Sequence, residues 1–72
     1  MTNTFDVARF RALAADLGDD TTTAIARRTG IERSLLSRLL RGERQPRLDT
    51  AARAADAYNV SVDELINRGA AA

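Results

Sequence analysis

Residues 22–42 read TTAIARRTGIERSLLSRLLRG, and the fold depends on how this stretch is parsed. It holds two helical patterns hinged at Gly30. In the first, Ile25 and Ala26 are the apolar positions, and Thr21, Thr22 and Thr23 stand ahead of them. A threonine hydroxyl accepts from the free N–H groups of a first helical turn, while threonine is a mediocre residue for a helix middle, so Thr21 is the expected N-cap. Gly30 is free to take positive φ and end the helix abruptly. Ala26, one turn earlier, is small enough for a second helix to approach. Two helices joined by such a short turn cross at about 90–120°, the geometry of a helix-turn-helix.

The second pattern covers residues 33–41. At about 100° per residue, Leu35, Leu36, Leu39 and Leu40 fall on one arc, and Arg33, Ser34, Ser37, Arg38 and Arg41 fall on the opposite one. A solvated face usually alternates acidic and basic residues at i,i+4 spacing. This arc has no acid after Glu32. Arginine forks two hydrogen bonds onto O6 and N7 of guanine, and serine reaches either kind of base. The polar arc is therefore matched to phosphates and base edges.

With these residues the chain resembles the helix-turn-helix proteins of the phage repressor and Cro type, also called the XRE type. The resemblance rests on Ile25-Ala26, Gly30-Ile31, Leu36, Ser37, Leu39 and Gly42. It continues through Pro46, Leu48 and the stretch NVSVDEL at 59–65, and so covers about residues 10–66. It implies an all-α, five-helix, lambda-repressor-like domain whose helices 2 and 3 form the helix-turn-helix. It further implies sequence-specific binding of double-stranded DNA by a transcriptional repressor or regulator, with the third helix in the major groove. By position in the motif, base reading falls to Glu32, Arg33, Ser34 and Arg38, and backbone contact to Thr22, Ser37 and Arg41. The family often has glutamine where this chain has Thr22, so that contact is shortened. The family's glutamate at the position of Leu40, and its arginine partner at Ala14 or Ala15, are missing together. Apolar replacement of both ends of an ion pair is neutral or better, whereas loss of one end is not.

The net charge of +1 becomes informative once it is divided. Residues 27–47 hold seven arginines against Glu32 and Glu43, and each flank carries four acids against two arginines. A basic centre between acidic flanks is a focused positive patch, suited to a polyanion. Within it the linker Glu43-Arg44-Gln45-Pro46-Arg47 places Arg44 and Arg47 beside the basic helix. Their charge is unbalanced, which favours contact with backbone phosphates over a merely solvated loop. Pro46 suits the approach to a new helix.

A first helix is expected from Phe5 or Asp6 to Leu17, its core stripe formed by Phe10, Leu13, Ala14 and Leu17 at i, i+3, i+4 and i+7. Gly18 ends it, and Asp19-Asp20 reads as a turn and helix start rather than a metal site. A fourth helix runs from Leu48 or Asp49 to Tyr58, with Asn59 in the left-handed conformation behind it. Ser61 and Glu64 form a capping box for a fifth helix over residues 62–67. No strand is expected. Fourteen alanines make a thin core centred on Leu36 and Leu39. The chain is one domain, 1–72, with an ordered core of about 5–68 and frayed ends at 1–4 and 69–72. A domain of this size makes few DNA contacts alone, so a weak homodimer on a palindromic operator is expected, with Tyr58, Leu65 and Ile66 as dimer contacts.

The residue inventory narrows the chemistry. Cysteine and histidine are absent, which removes disulfides, thiol chemistry and the usual zinc fingers. The serines of the third helix have no base at plausible spacing, and the four glycines are scattered helix stops rather than a phosphate-cradling loop. No enzyme, cofactor, metal or small-molecule ligand is expected. No apolar run approaches the ~20 residues of a membrane span, and MTNTFD has no signal-peptide character, so a cytoplasmic location is expected. The alternative is a protein-interaction module on the same fold, such as an antitoxin or phage accessory protein, indifferent to DNA sequence.

Overall fold

The computed structural model describes residues 4–67. Three of its four α-helices open on a side-chain cap. The Asp6 carboxylate accepts from the Arg9 N–H at 3.0 Å and opens α1, Val7–Asp16. The Thr21 hydroxyl accepts from the Ala24 N–H at 3.1 Å and opens α2, Thr22–Thr29, as the threonine run predicts. Glu32 opens α3, Arg33–Leu40, by accepting from the Leu35 N–H at 3.1 Å. The fourth helix, α4, Leu48–Ala57, starts after Pro46-Arg47 with no side-chain cap, and Asn59 behind it has φ +58°.

The expected fifth α-helix is corrected. The Ser61–Glu64 capping box forms, with the Ser61 N–H donating to Glu64 Oε2 at 3.4 Å, but the turn it opens is a 3₁₀ helix, Val62–Leu65. At Ile66 the backbone extends to φ −111°, ψ 123°. Ile66–Asn67 then forms a short strand, β2, antiparallel to β1, Thr4–Phe5, with Thr4 opposite Asn67 and Phe5 opposite Ile66. A four-residue turn gains little from helical propagation, and the extended chain finds backbone partners on β1 instead. The Asp6 N–H extends that seam by donating to the Leu65 carbonyl at 2.8 Å. Thus the all-α description holds for the body of the chain, with a two-stranded clasp joining its ends. Of the segments expected to fray, Thr4 is paired, and residues 1–3 and 69–72 lie outside the described residues, as does Arg68 at the end of the expected ordered core.

Phe10, Leu36, Leu39 and Leu65 are the largest fully buried side chains. Phe5, Phe10 and Tyr58 form an edge-to-face ladder with centroid separations of 5.3 and 5.6 Å, the geometry the ring quadrupoles prefer. Ala14 and Leu40 share the buried cluster, so the site of the family's missing ion pair is apolar on both sides. The core stripe of α1 stops short of the expected end. Its helix closes at Asp16, and Leu17, one residue past the helical register, is 52% exposed.

Candidate nucleic-acid interface

The turn between α2 and α3 is built from two residues. Gly30 caps α2 in the left-handed region at φ +75°, where a Cβ would be strained by the backbone alone, since open space surrounds that position. Buried Thr29 supplies the other half. Its hydroxyl donates to the Ile25 carbonyl at 2.8 Å and accepts from the Ile31 N–H at 3.2 Å, which satisfies polar groups on both sides of the bend. Arg53 of α4 adds a longer bond, 3.5 Å, from its guanidinium to the Gly30 carbonyl.

This turn sets α3 with its leucine arc inward. Leu36, Leu39 and Leu40 are buried and Leu35 is half-buried, while Arg33, Ser34, Arg38 and Arg41 are exposed and Ser37 is half-buried. Thr22, Glu32, Arg33, Ser34 and Ser37 line one open depression between the starts of α2 and α3. Five of the nine expected DNA-contacting residues therefore share one concave surface. Arg38 and Arg41 follow along the same helix face, and Arg44 and Arg47 lie exposed in the loop beyond it. Among the described residues, Arg33, Arg38, Arg44 and Arg47 make no ion pair.

Two of these residues already have partners. Glu32 accepts from the Ser34 hydroxyl at 2.8 Å as well as from the Leu35 N–H. Those bonds, the serine's first, hold its carboxyl below the usual carboxylate range. Arg41 pairs with Glu43, Nε to Oε2 at 3.0 Å, with both side chains more than half exposed. Of the three residues expected at a dimer contact, Leu65 is completely buried, Tyr58 is 6% exposed and Ile66 keeps partial exposure.

Tyr58 serves a different purpose. Its hydroxyl donates to Asp19 Oδ2 at 2.9 Å, the same carboxylate ion-pairs with Arg28 of α2, and the Arg28 guanidinium lies 5.8 Å from the Tyr58 ring centroid. Asp19, read from the sequence as a turn residue, thus ties the α1–α2 turn to α2 and to the end of α4. Arg28, then the Tyr58 hydroxyl, holds the Asp19 carboxyl below its ordinary value of 3.8, against a raising effect of burial. Burial, then the bond to Asp19, pushes the Tyr58 phenol well above 10.0. The signs follow directly. A depressed carboxyl pKa stabilises the fold above the unfolded value and loses that stabilisation as pH falls through the folded value. A raised phenol pKa stabilises the fold below the unfolded value and loses it as pH rises toward the folded one. Melting temperature should therefore fall below about pH 4 and again above about pH 10. Asp19→Asn should flatten the acid limb, although Glu32, also depressed, keeps part of it, and should soften the alkaline limb only in part, because burial is the larger cause of the Tyr58 shift. Melting curves of wild type and Asp19→Asn that stay parallel from pH 2 to 11 would contradict the linkage.

A model of the helix-turn-helix domain matches residues 7–66, which spans all four α-helices and the 3₁₀ turn. The chain belongs to the helix-turn-helix domain family. No curated protein and no solved structure matches it. As a helix-turn-helix domain it is of a DNA-binding type, in keeping with the resemblance to the XRE-type proteins. No helix among the described residues is long and apolar enough to cross a membrane.

Sequence reasoning missed Thr29, the Asp19–Arg28–Tyr58 cluster and the capping use of Glu32. Thr29 carried a signal, since a threonine one residue before a helix-ending glycine is placed to bond back to the preceding turn. The Asp19 cluster joins residues 39 positions apart and left no local trace.

Proposed function

We propose that this helix-turn-helix protein is a sequence-specific regulator of transcription, most simply a cytoplasmic repressor, that inserts α3 into the major groove of double-stranded DNA. One observation carries the reading: an open depression at the starts of α2 and α3, lined by Thr22, Glu32, Arg33, Ser34 and Ser37, opens beside arginines that make no ion pair among the described residues. In this reading Arg33 and Arg38 take base edges, preferentially guanine. Ser34 reads an adjacent base after rotating its hydroxyl away from Glu32. Glu32 reads at most a cytosine amino group, and its main contribution is to cap α3. Thr22, Ser37, Arg41, Arg44 and Arg47 hold the phosphates on either side.

A single copy buries too little DNA for tight specific binding, and two copies on half-sites about one helical turn apart remove that deficit. Of the expected contacts Tyr58 and Leu65 are buried in the single copy, and Ile66, partly exposed, is the one most open to a second copy. The test is selection of bound duplexes from a random pool. Enrichment of an inverted repeat supports specific reading and dimeric binding together. Recovery of sequences with no common pattern, at an affinity no better than for bulk DNA, would leave the fold without a reading function.

A further inference from the structure

The loop carrying Arg44 and Arg47 is fastened at its midpoint from across the chain. Gln45 lies between the two arginines, and its side-chain Oε1 accepts from the backbone N–H of Phe5 at 2.7 Å, forty residues away. Phe5 is itself firmly placed. The residue is 7% exposed, its ring packs edge-to-face on Phe10, and its backbone pairs with Ile66 in the β1–β2 clasp. Pro46, next in the loop, lines a shallow groove together with Phe5, Leu48, Val62 and Ile66. The paired ends of the chain therefore hold the loop that follows the basic helix.

We infer that Gln45 is a positioning residue for DNA contact: by accepting from Phe5 it holds the 43–47 loop where Arg44 and Arg47 reach the phosphates. This role rests on the DNA-binding reading above. The physical reason is entropic. Among the described residues Arg44 and Arg47 have no ion-pair partner to order them, and a loop left loose loses its conformational freedom at the moment of binding. A loop already fastened to β1 has lost that freedom on folding. Gln45 stands outside α3, in the loop that follows it, so the fastening supports affinity for any duplex and leaves base choice to the helix.

The test is a double-mutant cycle on the full chain. Gln45→Met keeps the length and removes the acceptor, and Arg44→Ala with Arg47→Ala removes the groups it positions. Binding to the selected duplex and to a random duplex is titrated over a range of salt concentrations, and exchange of the Phe5 amide is followed by NMR. Expected for Gln45→Met are faster Phe5 amide exchange and a 3- to 10-fold loss on both duplexes, on the order of one hydrogen bond. A smaller salt slope should accompany that loss. In the Arg44→Ala/Arg47→Ala background the same substitution should have no further effect on binding. Gln45→Glu, which keeps an acceptor, should retain slow Phe5 exchange. Unchanged affinity with accelerated exchange, or equal losses in both backgrounds, would overturn the positioning role while leaving DNA binding intact. A wild-type protein that binds no duplex overturns the DNA-binding reading itself, and this role with it.

Discussion

Leu36→Ala is expected to lower stability by about 2–5 kcal/mol, the range for truncating a buried leucine that leaves a cavity. Leu36 is fully buried in the cluster that joins Phe10, Ile25, Leu40, Tyr58 and Leu65, so its removal opens a void inside the core shared by all four α-helices and the 3₁₀ turn. The surrounding side chains are poorly placed to refill it. Ala14, Ala54 and Ala55 line the same cluster, and alanine has no longer rotamer to swing inward. Even 2 kcal/mol shifts the melting temperature of a domain this small by about 8–16 °C. Leu35→Ala, one position away and half-buried, should cost distinctly less. The measurement is thermal and denaturant unfolding of both variants. Equal losses, or no loss for Leu36→Ala, would contradict the orientation of α3 and with it the assignment of its exposed arc to DNA.

That orientation was legible from the sequence because α3 is short, strongly segregated and bounded by Glu32 and Gly42. Hydrophobic periodicity identifies a buried arc wherever leucines and arginines alternate so cleanly. The Thr21 cap, the Gly30 stop and the left-handed Asn59 were legible for a related reason: each is a local demand of backbone geometry that few residue types meet. What could not be read is what long-range pairing decides. Residues 62–67 carry a true capping box, yet the chain leaves the helical path at Ile66 because β1 offers it backbone partners from the other end of the sequence. A two-residue strand has no alternation to detect. The interior places of Leu65 and Tyr58 are of the same kind: the 3₁₀ turn draws Leu65 inward, and Phe10 and Asp19 draw in Tyr58. At the site, composition located the basic surface, but it could not say that Glu32 and Arg41 already have intramolecular partners.

Those partners sharpen the separation of reading from gripping. Arg33→Ala is expected to weaken binding to the selected duplex by about 1–3 kcal/mol more than binding to random DNA, and to relax the choice at one base position. Arg33 opens α3 beside the depression shared with Thr22 and Ser34 and has no ion-pair partner among the described residues to give up, so its whole interaction is available to a base edge. Arg38, one turn along the same face and also without an ion pair, should behave alike. Arg41 differs on two counts. It caps the C-terminus of α3, where the helix would leave the groove in the proposed docking, and its guanidinium is held by Glu43 at 3.0 Å. A phosphate gains Arg41 only by displacing that carboxylate. An exposed pair of this kind is worth at most about 1 kcal/mol, so the exchange is feasible. It releases fewer counterions than a free arginine would. Arg41→Ala should therefore weaken selected and random duplexes nearly alike, and reduce the salt slope by less than the roughly one unit expected for an unpaired phosphate contact. Glu43→Ala should do the reverse, tightening both duplexes and steepening the slope. All four variants are titrated against both duplexes at several salt concentrations. If Arg33→Ala cost the two duplexes equally, α3 would grip DNA without reading it through that residue. If no variant altered binding, the arginine face would be discarded as the DNA surface, and a protein-docking use of the fold would take its place.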